Sequence, residues 1–383
     1  MKGRILLKLV IQHGVLFQFS SPTIFGEPIK SIENENDEQK SWRRLRTNAS
    51  LSCRATLVTL VFPDKAHICL HLLPRTIRRL SLGADFNQPL TTEGPFGAAE
   101  GPFGTTEGPF GNNLPPTLTS LILGYSFNQR LEKENLPRGL TFLELGCFFD
   151  HPVDNLPLGL THLSLGGYFD RSVDCLPSTL THLVLAGAFN QPIDYLPHSL
   201  THLILMDNFD QPIDNLPENL THLSLSYKFD QPLKNLPSGL THLVLGCYFD
   251  QPLENLPFGL THLTLGYNFN HPLDKLPQNL THLVLECWRF NQPLDCLPSS
   301  LTNLTLRCDM VQPLDKLRIT HLILGHRFNR PVTDLPLSLT HLTLEQGFCQ
   351  PIKELPPKLT HLTYNSSYNL FLDHPAALII KRL

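Results

Sequence analysis

The stretch LTHLVLGCYFDQPLENLP, from Leu240 to Pro257, recurs in near copies along most of the 383-residue chain. The dipeptide Leu-Pro marks the period, because it returns at one constant spacing from Leu136 through Leu156 to Leu276. A divergent copy of the repeat lies upstream, where Leu60 precedes Leu80 by one period. A fixed period of this length indicates a solenoid, in which each repeat buries its apolar face only against its neighbours.

The period divides the chain into three parts. The repeat array is predicted over residues 53–364, preceded by an N-terminal cap or adaptor region over 1–52 and followed by a C-terminal cap over 365–383. One inter-repeat turn holds an insertion at 91–111 that reads TTEGPFGAAEGPFGTTEGPFG. Its Gly-Pro pairs disfavour helix and strand, so we expect a low-complexity loop that leaves the register of the repeats unchanged.

Each repeat contains one short segment with alternating polarity, such as His242–Leu245. Alternation predicts a strand with Leu243 and Leu245 facing inward and the Val244 position facing outward. Two prolines per repeat break helix, so the return half should be extended or polyproline-like. Because such a strand has no partner within its own repeat, it must pair with the next repeat, and the predicted fold is a solenoid. It would contain a parallel β-sheet of short strands and little helix.

Two further columns follow the strand. A phenylalanine recurs at the position of Phe249 and predicts a stacked aromatic spine inside the coil. The residue after it is Asn or Asp, as at Asn190 and Asp250. Only the side-chain carbonyl oxygen is common to both types, which indicates a structural ladder of acceptors for turn amides rather than a row of calcium sites.

A histidine column runs without interruption from His162 to His282 and resumes at His321. By strand parity these side chains lie on the outer face, about 4.8 Å apart. A straight row of imidazoles offers a zinc ion too few ligands, so we interpret the column as a stacked, partly exposed structural ladder. Crowding of like charges is expected to lower the pKa values of these histidines.

Composition narrows the class of protein. The net charge is −4, and 17% of residues are charged. Residues 1–72 hold 10 Lys/Arg and 6 Asp/Glu, so the remainder holds 20 and 28 and carries a net charge of −8, which disfavours nucleic acid as a partner. No stretch of apolar residues is long enough to span a bilayer without a charge, so no membrane contact is expected. The nine cysteines are odd in number and lack a framework spacing, which favours a reduced, cytoplasmic protein.

No catalytic triad, phosphate loop or spaced metal cluster is recognisable, so the sequence predicts neither an enzyme nor a cofactor or metal site. The residues between the last strand leucine and the phenylalanine vary from repeat to repeat. Variable positions on a regular scaffold are the best candidates for partner recognition. The predicted partner-binding rim consists of Tyr168, Asp207, Tyr227, Lys228, Tyr248, Tyr267, Trp288, Arg289, His326 and Arg327.

The units FDQPIDNLP and FNQPIDYLP, joined by LTHLxLG, resemble the FNIP repeat family over about residues 73–364. Members of that family are leucine-rich-repeat-like proteins of social amoebae and of giant DNA viruses of amoebae, so the resemblance implies a leucine-rich-repeat-like solenoid. The resemblance implies a non-enzymatic protein–protein interaction scaffold with a protein partner, in host cytoplasm if the protein is viral. Repeats in that family are commonly slightly longer than the repeats of this chain.

Two alternative functions stay open. Many FNIP relatives carry an F-box that recruits a ubiquitin-ligase scaffold, and SWRRLR at Ser41–Arg46 echoes the end of such a motif. Residues 1–52 would then be a degenerate F-box of a substrate-recognition subunit. The apolar start MKGRILLKLVIQHGVLFQFSS has some features of a signal peptide, which would suit a secreted or surface adhesin or effector-type protein.

Overall fold

The computed structural model describes residues 59–62, 70, 73, 75–90, 114–133, 135–225, 227–288, 290–308, 313–325, 327–329, 335–350, 354–365 and 378–382. The predicted regions 1–52 and 91–111 lie outside these residues, and so does most of 365–383. Those three boundaries therefore stay predictions.

The described residues form one parallel sheet of sixteen short strands and no α-helix. The strands are β1 (Thr59–Val61), β2 (Arg79–Ser81), β3 (Ser120–Ile122), β4 (Phe142–Glu144), β5 (His162–Leu165), β6 (His182–Leu185), β7 (His202–Leu205), β8 (His222–Leu225), β9 (His242–Leu245), β10 (His262–Leu265), β11 (His282–Leu285), β12 (Asn303–Leu306), β13 (His321–Leu324), β14 (His341–Leu344), β15 (His361–Tyr364) and β16 (Ile379–Arg382). Each strand pairs with the next one in sequence. The predicted solenoid, with one strand per repeat, is confirmed.

The register keeps equivalent residues side by side. His242 pairs with His262, and Leu243 pairs with Leu263. Leu80 pairs with Leu121, although the inserted segment lies between them, so the surplus residues between β2 and β3 do not shift the register. Because the paired strands keep equivalent positions in register, the described strand residues form columns along the array.

The strands alternate as predicted. In β9, Leu243 and Leu245 are each 1% exposed, whereas His242 and Val244 are partly exposed. Just before the strand the chain turns out of the return segment, where Leu240 N–H donates to the carbonyl of Pro237 at 3.1 Å. The buried leucines of successive repeats form a continuous core. An isolated repeat would bury too little apolar surface to be stable, so each repeat depends on its neighbours.

The phenylalanine column is the interior spine that the sequence predicts. Phe229 is 0% exposed, and its ring stacks on that of Phe249 with centroids 6.2 Å apart. Neighbouring rings along the spine lie 6.0–6.4 Å apart.

Repeat spacing differs between the two sides of the sheet. Neighbouring histidine rings lie 4.1–4.2 Å apart, against at least 6.0 Å for the phenylalanine rings. Paired strands are about 4.8 Å apart, a value between these two spacings. The array therefore curves, with the histidine column on its inner side and the phenylalanine spine further out.

Candidate functional site

The Asn/Asp column at the strand exit is a hydrogen-bonded ladder. Asp230 Oδ1 accepts the backbone N–H of Asp250 at 2.9 Å, and Asn190 Oδ1 accepts that of Asp210 at 2.9 Å. Asparagine and aspartate use the same oxygen in the same way, which confirms the predicted acceptor role. Among the described residues no group of three or more His, Cys, Asp or Glu could hold a metal ion.

The glutamine column adjoining this ladder was not singled out from the sequence. Gln231 Nε2 donates to Asp210 Oδ1 at 3.0 Å, and Gln251 Nε2 donates to Asp230 Oδ1 at 3.1 Å. The recurrence of Gln in the FDQP unit was the available signal. The amide fixes the ladder oxygen in place without neutralising the carboxylate, because an amide carries no charge.

The histidine column is tied to a threonine column. Thr241 Oγ1 donates to the carbonyl of Thr221 at 3.1 Å and lies 2.9 Å from Nδ1 of His242. A hydroxyl has one proton, so when the carbonyl takes it, Nδ1 must carry the proton of its own hydrogen bond. The same arrangement recurs from Thr161 to Thr360 beside each histidine of the column.

This environment favours the neutral form of most described column histidines. Burial, followed by the charge of neighbouring histidines, lowers the pKa of His182, His222 and His262 to about 4. The direction agrees with the expectation from sequence. The main cause is burial of the stacked rings, however, and like-charge crowding is secondary. Stacked rings with a repeated hydrogen bond are those of a structural ladder.

The predicted rim residues lie where the strands end. Tyr168 stacks on Phe148 with centroids 5.1 Å apart, and Tyr227 contacts Tyr248 edge-on at 5.1 Å. Their side chains are well exposed, with Tyr168 at 56% and Tyr248 at 47%. Phe148 was not predicted as a site residue, although it occupies the same rim position as Tyr168 and Tyr248.

A second group of predicted residues converges towards the C-terminal end of the array. The Arg327 guanidinium lies over the rings of Tyr267 and Trp288, 4.9 Å and 5.5 Å from their centroids. Arginine over an aromatic face is a favourable cation–π arrangement. Asp207 has a local role, because its Oδ2 accepts the backbone N–H of Gly187 at 3.0 Å. Lys228 is exposed, and the predicted residues Arg289 and His326 lie outside the described residues.

A family model described as the FNIP repeat matches residues 109–148, 149–187, 189–228, 209–248, 229–268, 249–283 and 269–309, which together cover more than half of the chain. The chain belongs to the FNIP repeat family. The resemblance expected from the FDQPIDNLP units is therefore confirmed.

Two solved structures are similar to this FNIP chain. CroV588, described as a novel circular LRR protein and derived from a giant virus, is 37% identical with a TM-score of 0.65. The match covers 82% of this chain and 47% of CroV588, so the chain spans about half the length of that relative. YopM from Yersinia enterocolitica is 17% identical with a TM-score of 0.40, and the match covers 91% of this chain and 100% of YopM. No curated protein matches the chain.

The FNIP array also contains an ion cluster that sequence reasoning missed. Arg307 donates to Glu286 Oε1 at 2.7 Å and, through two nitrogens, to both carboxylate oxygens of Glu345 at 2.7 and 3.0 Å. The two carboxylates raise the pKa of Arg307 above its ordinary value. Gly325 lies between the partners, and a Cβ there would meet Arg307 Cγ. The cluster links non-adjacent repeats, a contact that the period alone does not reveal.

No helix in the described part of this FNIP chain is long and apolar enough to cross a membrane. None of the seven cysteines that the structure describes forms a disulfide. Burial raises the pKa of the Cys287 thiol and so disfavours its reactive thiolate form.

Proposed function

We propose that this FNIP chain is a non-enzymatic protein–protein interaction scaffold that binds its partner through the rim at the strand ends. The observation that carries the proposal is the exposure of large aromatic side chains along this rim. Phe148, Tyr168, Tyr227, Tyr248 and Trp288 are between 41% and 56% exposed. Several large exposed aromatic side chains along one edge are typical of protein contact surfaces, in which Tyr and Trp are enriched.

The scaffold supports this role because it separates stability from recognition. The buried Leu and Phe columns and the Asp/Asn ladder are nearly invariant between repeats, whereas the rim residues differ. Substitutions at the rim therefore change the surface without changing the core. A surface of this kind suits recognition by complementary shape and charge.

The absence of catalysis is proposed from the uniformity of the polar groups. Catalysis requires a residue whose surroundings differ from those of its equivalents. Each described histidine of the column lies within hydrogen-bond distance of the threonine that precedes it, and its ring stacks on that of a neighbouring histidine. LRR-like repeat scaffolds are typically non-enzymatic. A cytoplasmic location is part of the same proposal and rests on the cysteine spacing of the sequence.

Affinity capture from lysate of the source organism tests the function. The whole chain is compared with a rim variant, Tyr168→Ala with Tyr248→Ala and Trp288→Ala, and with a variant lacking residues 1–52. We expect one protein to be captured by the whole chain and by the truncated chain, and to be lost from the rim variant. Capture that survives in the rim variant but disappears on truncation would place recognition in residues 1–52 and contradict the proposal.

A further inference from the structure

The central rim carries an aromatic pair beside carboxylates of the ladder. The rings of Tyr227 and Tyr248 meet at 5.1 Å and are 46% and 47% exposed. Tyr248 also lines a shallow, open depression together with Asp210, Asp230 and Asp250. These five residues are called the tyrosine patch.

We propose that the tyrosine patch docks an arginine-rich segment of a protein partner. The inference rests on the proposed function and names the chemistry of the partner at one part of the rim. Two contacts that the chain already makes with its own arginines support it, and so does the negative charge of the patch.

The first internal contact shows how a ladder carboxylate takes a guanidinium. Arg171 donates through Nε to Asp150 Oδ1 at 3.0 Å and through Nη2 to Asp150 Oδ2 at 2.8 Å. The same Oδ1 still accepts the backbone N–H of Asp170 at 3.3 Å. A ladder aspartate can therefore bind arginine with both oxygens while it maintains the repeat-to-repeat hydrogen bond.

At the tyrosine patch the chain supplies no such arginine. The residues equivalent to Arg171 are Gln231 and Gln251, which donate only to Oδ1 or to the backbone carbonyl. Within the described residues, Oδ2 of Asp210 and of Asp230 has neither a hydrogen-bond donor nor a cation within ion-pair distance. Each carboxylate thus presents the oxygen that Arg171 uses on Asp150.

The second internal contact shows how rim aromatics take a guanidinium. Arg327 reaches over Tyr267 and Trp288 with its Cζ 4.9 Å and 5.5 Å from the ring centroids. Tyr227 occupies the rim position of Tyr267, and Tyr248 lies on the following repeat, as Trp288 does. No arginine of the described chain lies over Tyr227 or Tyr248. An incoming arginine would repeat a contact that the rim already makes.

The charge balance favours a basic partner. Lys228 also lines the depression and opposes the three carboxylates, and His271 Nε2 lies 3.2 Å from Asp250 Oδ1. Lys228 and His271 together carry at most two positive charges against the three carboxylates, so the formal charge around the depression is negative. The array beyond residue 72, with 20 Lys/Arg and 28 Asp/Glu, is acidic as well. A phosphate-bearing partner would be repelled by this negative charge. Among basic side chains, the planar guanidinium of arginine suits carboxylate and aromatic contacts better than the ammonium of lysine does.

Fluorescence anisotropy with the whole chain tests the inference. The probes are three fluorescein-labelled peptides. In each peptide glycine alternates with three copies of a single residue type, which is arginine in the first, lysine in the second and glutamate in the third. We expect binding in the order arginine, lysine, glutamate, with a difference of about fivefold between arginine and lysine and no measurable binding of the glutamate peptide. Equal affinity for the arginine and lysine peptides, or no binding of either, would overturn the inference.

Matched variants locate the contact. Asp210→Asn with Asp230→Asn removes two charges but retains the ladder, since Asn190 already holds the same hydrogen bond. Tyr248→Ala copies Ala188, which occupies the same rim position. Asp170→Asn is the control, because it changes an equivalent ladder residue outside the patch. We expect affinity for the arginine peptide to fall about tenfold in the double variant and about fivefold in Tyr248→Ala, and to change less than about twofold in the control. A loss of the same size in the control would indicate a diffuse charge effect and contradict the patch.

The failure of this inference is distinguishable from failure of the proposed function. If the partner captured from lysate depends on Tyr168 and Trp288 but binds the double variant as well as the parent, only the arginine patch is wrong. If no rim variant affects capture, the scaffold proposal itself is wrong.

Discussion

Asp210 Oδ1 lies 3.0 Å from the backbone nitrogen of Asp230 and accepts its hydrogen bond across the boundary between two repeats. The same contact, with Asn or Asp as the acceptor, joins successive repeats along most of the array. It links the rim, where recognition is proposed, to the regular backbone that positions it. Aspartate, a residue type common in catalytic and metal sites, is therefore part of the framework here.

Substitution of a ladder residue tests that role. Asp230→Ala should lower the free energy of unfolding by about 1 kcal/mol, because the N–H of Asp250 loses its acceptor. Asp230→Asn should change it by less than about 0.5 kcal/mol. Urea denaturation followed by circular dichroism measures both variants. Equal losses in the two would mean that the charge, and not the shared oxygen, holds the ladder.

The insertion can be tested by deletion. Removal of Thr91–Gly111 should leave a cooperative thermal transition, because β2 and β3 pair in register across the surplus residues. We expect the free energy of unfolding to change by less than about 2 kcal/mol. Loss of the transition would show that these residues contribute to the packing of the array.

The aromatic spine predicts a large effect of truncation. Phe229→Ala removes a fully buried ring stacked against both neighbours, and should cost about 3–5 kcal/mol in the free energy of unfolding. Tyr195→Ala is the control, since that side chain is 74% exposed, and should cost less than about 0.5 kcal/mol. Similar values for the two variants would contradict the interior position of the spine.

The histidine column predicts a dependence of stability on pH. His182, His222 and His262 have folded pKa values lowered to about 4, against about 6.5 in the unfolded chain, so the unfolded chain binds protons first. The stability contributed by the neutral rings should be complete above about pH 7 and should decrease as the pH falls from 6.5 towards 4.

Melting curves at pH 7.5 and 5.5 measure this effect. Replacement of the three histidines by Asn copies Asn303, whose Oδ1 accepts a hydrogen bond from the neighbouring Thr302 hydroxyl at 2.8 Å. The variant should lose less stability than the parent between the two pH values. Addition of zinc should stabilise neither protein. Zinc stabilisation of the parent alone would instead indicate a metal site in the column.

Much of the fold follows from the sequence because the period carries most of the information. Once Leu243, Leu245 and Phe249 are assigned to the interior, parity places His242 and Val244 outside, and the structure agrees. The variable positions before the phenylalanine can also be located from the sequence, and their role in recognition stays a prediction.

The remaining features depend on contacts between specific side chains. The attraction of Arg307 to Glu345 crosses an intervening repeat, and the reach of Arg327 to Tyr267 depends on rotamers that no spacing encodes. The threonine before each histidine is visible as a repeated residue, but the two hydrogen bonds of its hydroxyl depend on how neighbouring repeats are placed in space. Burial is the main cause of the lowered histidine pKa values, and it results from the close stacking of the rings, which the sequence spacing does not reveal.

Site-specific photocrosslinking tests the central claim, recognition through the rim, most directly. A benzophenone amino acid is placed at Tyr168, Tyr248 or Trp288, and, as controls, at Tyr195 or Phe258, which are 74% and 71% exposed in the return segments. In lysate of the source organism, the account predicts that the three rim positions crosslink the same partner protein and that the two controls do not. Crosslinks to that partner from the return segments, with none from the rim, would contradict it.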